Sequence, residues 1–238
     1  MNNGTPILHD AFHNLRNIIF DLGGVLYNVD YALVEKEFAA LQSPQRRKNT
    51  PAVAYSRQTQ PDIVSRYEIG AVSTAEFCEG LRSELGLEGD DETITAAWNA
   101  MLLGVYPGRN ALVWRLKQRF NLSLLSNTNE AHIAYVKPEC QELFSLFDKL
   151  FFSFEVGLRK PQTEIFRHTL EVMGYAASET LFIDDSYQHI EAARRCGIKT
   201  LWLQNPESLA LAVDLLAPKQ EAQASSENSS QHDEAQPA

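Results

Sequence analysis

Four short segments of this chain carry residues able to do chemistry together. Asp21 follows the apolar run Asn17-Ile18-Ile19-Phe20 and precedes Leu22-Gly23-Gly24. Ser126 and Asn127 close the run Leu124-Leu125, and Lys160 stands in Gly157-Leu158-Arg159-Lys160-Pro161. Asp184 and Asp185 close Leu181-Phe182-Ile183. Taken singly, each has an ordinary explanation. Asp21 could be a nucleophile, a metal ligand or a turn-forming cap. Lys160 could be one more surface lysine, and Ser126-Asn127 a strand-end turn. The adjacent acids are more pointed, because two carboxylates at the end of an apolar run repel each other unless a cation or a donor compensates. Hard divalent cations prefer such oxygen ligands, and Mg²⁺ commonly takes one or two carboxylates together with phosphate oxygens.

The elements around these residues place them together. Apolar runs of strand length recur at 17–20, 122–126, 149–154, 181–184 and 199–203, several unbroken by polar residues, as expected of strands buried on both faces. Helical patterns lie between them. Residues 111–120 put Leu112, Val113, Leu116 and Phe120 on one face. Residues 163–173 do the same with Ile165, Phe166, Thr169, Leu170 and Met173, and Gly174 stops them; 189–197 repeat the scheme and stop at Gly197. Such alternation predicts an α/β fold with a doubly wound parallel sheet. In that sheet all four segments leave the carboxyl ends of their strands at one edge, where open α/β sheets bind ligands.

The stretch 27–106 reads differently, with no convincing strand. Tyr31, Val34, Glu35 and Phe38 begin a helix capped by Asp30. Prolines at 44, 51 and 61 punctuate a polar stretch, and Ser73-Thr74-Ala75-Glu76 has capping-box spacing ahead of Phe77 and Leu81. Asp91 through Leu103 reads as a further helix containing Trp98 and Met101. This is too much helix for a simple crossover, so an inserted helical cap at 27–106 is expected. The core would then comprise 17–26 and 107–217, with an N-terminal extension at 1–16 and a disordered tail at 218–238. That tail is rich in Gln, Ser, Ala and Glu and lacks aromatic residues.

Composition narrows the function classes. A chain of 238 residues with 44% hydrophobic content suits one sizeable domain or a domain plus an insert. A formal charge of −10 argues against a nucleic-acid partner, so any phosphate site must rest on local positive charge. Cys78, Cys140 and Cys196 are odd in number and widely spaced, and read as reduced thiols. No apolar stretch approaches a membrane span, and the N-terminus lacks the pattern of a signal peptide, so a cytoplasmic protein without a membrane partner is expected. The polar, acidic composition fits a monomer or weak homodimer.

The segments FDLGGVL, LLSNTN, GLRKPQTEIF and LFIDDSYQHIEAARRCGI resemble the four motifs of the haloacid dehalogenase-like hydrolase superfamily. The likeness runs from about 17 to 203, with a cap-sized gap after the first motif. Within the superfamily the chain is most similar to the branch holding bacterial glucose-1-phosphate phosphatases and the phosphatase domain of soluble epoxide hydrolases. The resemblance implies a Rossmann-like core and a Mg²⁺-dependent phosphatase acting on a small phosphorylated metabolite, such as a sugar phosphate. Asp21 would attack phosphorus and form an aspartyl-phosphate; it is ionised at neutral pH and needs no base. Lys160 and Mg²⁺ would neutralise charge around the transition state. Ser126 and the Asn127 backbone would hold phosphoryl oxygens. The metal would sit on Asp21, the carbonyl of Gly23 and Asp185, with Asp184 acting through water or by holding Lys160.

Gly23 departs from the commoner pattern, in which a second Asp at this place also protonates the leaving group and activates water. Glycine keeps the carbonyl and loses the acid, which is worth typically about 10²–10⁴-fold. Working phosphatases of that branch carry Gly here. The departure predicts preference for leaving groups that need little help, or a substitute acid, for which Asp30, Tyr27 and His189 are near in sequence. Two rivals stand beside the phosphatase. One is a metal-independent haloacid dehalogenase, against which the acidic pair argues; the other is a non-catalytic binding protein on the same fold. Arg57, Arg66, Tyr67 and Trp98 are candidates to meet the substrate from the cap, each with a plain structural alternative.

Overall fold

The computed structural model describes residues 14–43 and 61–218. Five parallel strands form the central sheet: β1 (Asn17–Phe20), β4 (Asn121–Ser126), β5 (Lys149–Phe152), β6 (Thr180–Asp184) and β7 (Lys199–Trp202), in the order β5-β4-β1-β6-β7. The strand period of two divides their apolar residues between two cores. Ile18, Phe20, Leu122, Leu124, Leu181 and Ile183 enter one. Ile19, Leu125, Phe151 and Phe182 enter the other, with Ile165, Phe166 and Ile190 from covering helices. Both faces are thus covered, which is why the strands read as unbroken apolar runs. A doubly wound α/β fold is what the sequence predicts, and it is what forms.

The register fixes the functional edge. Phe20 lies between Leu124 and Ile183, and Asp184 pairs with Trp202, so the carboxyl ends of β1, β4 and β6 finish together. The helices behind them are α5 (Arg109–Lys117), α6 (Glu130–Ser145), α8 (Thr163–Met173), α9 (Tyr187–Arg195) and α10 (Leu209–Leu216), with a short turn, α7 (Ser153–Val156), after β5. Gly174 ends α8 at φ +65°, the left-handed conformation expected of a helix-stopping glycine. The run expected as strand through 154 stops at Phe152, because Ser153 turns inward to bond both the amide and the carbonyl of Thr128.

The insertion holds α1 (Tyr31–Leu41), α2 (Asp62–Glu68), α3 (Thr74–Leu85) and α4 (Asp91–Asn99). Asp30 caps α1 through the Ala32 amide, and Ser73 with Glu76 forms the capping box of α3. These helices pack around their own apolar cluster, which includes Val34, Phe38, Tyr67, Phe77 and Trp98. Two expectations fail here. The stretch 27–106 does contain strands: β2 (Tyr27–Val29) and β3 (Leu102–Val105) pair antiparallel at the two ends of the insertion. The helix expected from Asp91 to Leu103 therefore stops at Asn99. Strands of three and four residues are too short to show a period, and Met101-Leu102-Leu103 mimics a helix continuation. Gly104, at φ +116°, marks the difference: a Cβ there would lie 3.0 Å from Glu139 Oε1. Glu139, on α6, accepts hydrogen bonds from the Val105 amide and the Tyr27 hydroxyl, both at 2.9 Å, and so ties the ribbon to the core. Among the described residues, no helix is long and apolar enough to cross a membrane.

Candidate active site

Asp21 stands one residue past β1. Its amide still bonds the Ile183 carbonyl at 2.9 Å, and its Oδ1 accepts the Leu22 amide at 2.7 Å, which turns the chain sharply and fixes the carboxylate. Lys160 arrives from the loop between α7 and α8. Its amide donates to Asn127 Oδ1 at 2.9 Å and its carbonyl accepts from Asn127 Nδ2 at 2.8 Å. This clamp aims the lysine across the sheet edge, where Nζ lies 2.8 Å from Asp21 Oδ1 and 2.8 Å from Asp184 Oδ2. Lys160 and Asp184 are fully buried. A buried ammonium is tolerable only when paired in this way.

Asp184 is the most heavily bonded member. The Ser186 amide donates to its Oδ1 at 2.7 Å, and His189 Nδ1 lies 3.0 Å from Oδ2. Burial pushes the Asp184 carboxyl up, but Lys160 and His189 outweigh it and hold the group well below the usual carboxylate range. For Asp21, burial is the leading influence; with the charge of Asp184 it outweighs Lys160 and raises the carboxyl above its ordinary value. Burial pulls the Lys160 ammonium down, and the two aspartates overcome that and raise it. Two carboxylates share one ammonium at this edge, so the cluster can take further positive charge. Its oxygens are hard donors that suit a divalent cation. Donor atoms of Asp21, Asp184 and His189 lie within 4.8 Å of one another. Asp185, half-buried at the end of the same strand, stands outside that trio and accepts the Trp202 indole N–H at its carbonyl, 3.0 Å away.

The remaining candidates divide cleanly. Ser126 and Gly23 line one small cavity of about 60 Å³ between the sheet edge and the insertion. A Cβ on Gly23 would meet Val29 at 3.4 Å, an ordinary contact, so its glycine is not dictated by space. The proposed substitute acids are otherwise engaged. Asp30 caps α1, the Tyr27 hydroxyl donates to Glu139, and His189 packs on Asp184. Tyr67 is buried, with its hydroxyl 2.8 Å from Thr74 Oγ1 and accepting the Ala131 amide, and Trp98 is fully buried in the insertion's core. Arg66 is exposed, and Arg57 lies outside the described residues.

Sequence reasoning undervalued His189 and missed Arg159 and His132. His189 falls in the first turn of α9, five residues after Asp184, and strand-to-helix geometry returns its ring to the strand end. Arg159, beside Lys160, reaches Glu68 of α2 at 2.9 Å and Ser65 at 2.7 Å, joining the core to the insertion. His132, near the start of α6, shares the cavity with Ser126. Its spacing from Ser126-Asn127 was the available signal.

The model of the family described as haloacid dehalogenase-like hydrolase matches residues 15–197. The chain belongs to that family. It is 28% identical over 196 residues to the D-ribitol-5-phosphate phosphatase of Bacteroides thetaiotaomicron, covering 80% of this chain and 93% of that one. It is 26% identical to an (S)-2-haloacid dehalogenase of Pseudomonas putida, over 80% and 85% of the two chains. Among solved structures, a haloacid dehalogenase family enzyme of B. thetaiotaomicron, an Asp-to-Ala mutant in complex with magnesium and inorganic phosphate, superposes with a TM-score of 0.70 at 29% identity, over 79% of this chain and 93% of that chain. The chain is thus a hydrolase of this family, and its relatives include both phosphatases and dehalogenases.

Proposed function

We propose that this hydrolase is a magnesium-dependent phosphatase of small phosphorylated metabolites, working through an aspartyl-phosphate on Asp21. The observation that carries the reading is Lys160 Nζ, held 2.8 Å from Asp21 and from Asp184 by the Asn127 clamp. Overall likeness does not separate a phosphatase from a dehalogenase, since both are among the relatives. The charge at the sheet edge supports the phosphatase, because a carboxylate needs close cations to approach an anionic phosphate. The relative bound to magnesium and phosphate supports the same choice.

Asp21, Asp184, Asp185 and the Gly23 carbonyl would hold Mg²⁺, which when bound adds positive charge beside the phosphoryl oxygens. This chain's residues do the rest. Lys160 and Ser126, with the backbone at Asn127, orient the phosphoryl group. An Asp21 oxygen bonds to phosphorus as the bond to the leaving oxygen breaks, and that oxygen takes a proton from solvent. Water then attacks phosphorus, releases phosphate and restores the carboxylate. Gly23 offers no acid for either step. The insertion covers the small cavity beside the edge and limits bulk water there.

Chelation tests the reading. Phosphate release from a panel of phosphorylated metabolites should stop with excess EDTA and return with Mg²⁺. Release of halide from a 2-haloacid that persists in EDTA would establish the dehalogenase instead.

A further inference from the structure

Lys160 is held from the insertion as well as from the sheet edge. It ends the segment 153–160 that leaves β5, and the last turn of α2 grips that segment at two places. Near the start of the segment, Gly70, just past α2 and at φ +67°, comes so close that a Cβ on it would lie 2.3 Å from the Phe154 carbonyl oxygen. The left-handed backbone and the close approach both demand glycine. At the other end, Arg159 Nη1 donates to Ser65 Oγ at 2.7 Å, and Nη2 lies 2.9 Å from Glu68 Oε2. Ser65 and Glu68 both belong to α2.

The charged pair is not a surface contact. Glu68 is 6% exposed. A carboxylate so buried is strongly unfavourable without a cation beside it, and the Arg159 guanidinium supplies one. Separate nitrogens of the planar guanidinium meet the two partners, which fixes direction as well as distance. The pair forms only when α2 lies on the segment. Arg159 is also the residue bonded to Lys160 in the chain, and its amide and carbonyl close a turn with Gln162, at 3.1 and 3.0 Å. Asn127 clamps the Lys160 backbone from β4, while Glu68 and Ser65 hold its neighbour from the insertion. Consecutive residues held from two sides leave Nζ little freedom to drift from its positions 2.8 Å from Asp21 and Asp184.

We infer that Arg159 and Glu68 are positioning residues for Lys160: the docked insertion keeps the lysine-bearing segment in register with Asp21 and Asp184, so the charge arrangement at the sheet edge depends on how the insertion is seated. The role of Lys160 in this inference rests on the phosphatase reading.

The test uses the Mg²⁺-loaded enzyme with para-nitrophenyl phosphate, and the variants Arg159→Met, Arg159→Lys and Glu68→Gln. Glu68→Gln keeps the size of the side chain and guards against loss of the fold in the arginine variants. Two quantities are read on protein that circular dichroism shows to be folded. One is kcat; the other is the rate at which Lys160, fully buried in the wild type, is acetylated by acetic anhydride, followed by mass spectrometry. Arg159→Met and Glu68→Gln should each lower kcat about 10-fold, with a smaller change in KM, as expected when a reacting group is slightly misplaced. Acetylation of Lys160 should rise about 10-fold through local opening, with the other lysines unchanged. Arg159→Lys should fall between, since an ammonium can pair with Glu68 but cannot fork to Ser65. The Arg159→Met, Glu68→Gln double variant should be no worse than either single one, because both remove the same interaction. A fall in kcat with Lys160 still protected, exposure of Lys160 without a fall in kcat, or wild-type values of both would overturn the inference while the phosphatase reading stands. A wild type that hydrolyses no phosphate ester would remove the phosphatase reading and this inference with it.

Discussion

The sheet edge and the seam beneath the insertion lie side by side, yet they are built on opposite plans. At the edge, Asp21, Lys160 and Asp184 find partners in each other before any substrate arrives. At the seam, His132 is buried against Trp98 among apolar neighbours, and its Nε2 has no hydrogen-bond partner in the structure. The edge carries charge that must be preorganised, because reorienting charged groups during reaction is costly. The seam carries packing, with a buried imidazole stacked on Trp98 among mostly apolar side chains. Charge and packing are therefore concentrated in neighbouring places, and perturbing each should produce a different failure.

Removing the central charge should break the edge most severely. Lys160→Met leaves Asp21 and Asp184 facing each other without their cation. We expect phosphatase activity to fall by about 10³-fold, as for loss of a principal charge-stabilising group. Stability should drop by about 3–5 kcal/mol, as when one member of a buried ion pair is deleted. Kinetics and urea melts will check both, and Mg²⁺ should recover part of the stability by supplying positive charge at the same carboxylates.

Gly23→Asp probes the edge in the other direction, adding a group. The backbone there has an ordinary conformation and a Cβ fits beside Val29. If only the acid is missing, hydrolysis of alkyl phosphates should rise by about 10–100-fold, within the range of positioned acid catalysis. In the wild type, rates across a series of aryl phosphates should depend steeply on leaving-group pKa, and the variant should flatten that slope. A flat wild-type series would mean that another residue already donates the proton.

The seam should reveal itself in stability rather than rate as pH falls. The His132 imidazole titrates at about 4 in the fold against 6.5 when unperturbed. Its neutral form favours the folded state, so its contribution is complete above about pH 6.5 and is lost as pH falls towards 4, to a total of about 3 kcal/mol. Asp21, whose carboxyl is raised, works in the opposite sense. The difference in urea midpoint between wild type and His132→Phe at each pH isolates the histidine. It should favour the wild type progressively less as the solution is acidified, and a constant difference would show that the ring is not held neutral.

The edge was legible in the sequence because its residues follow apolar runs of strand length, and a parallel sheet brings such ends together. Asp21, Ser126 and Asp184 fall where that argument puts them, and Lys160 joins them because a neighbouring loop delivers it. The seam was not legible. Its ribbon strands, Tyr27–Val29 and Leu102–Val105, are too short to show a period. His132 and Glu68 sit on helices whose mutual docking no local pattern encodes. His189 lay between these cases: its spacing from Asp184 was visible, but only the turn into α9 shows that the ring comes back to the strand.

The central claim is that Asp21 is the phosphoryl acceptor of a metal-dependent site. It is tested most directly by phosphate release with Mg²⁺ from wild type and from Asp21→Asn, which keeps the size of the side chain and removes its charge. The account predicts robust Mg²⁺-dependent release by the wild type and a loss of at least about 10³-fold in the variant, in line with deletion of a catalytic nucleophile. Release surviving at a comparable rate in Asp21→Asn would contradict it.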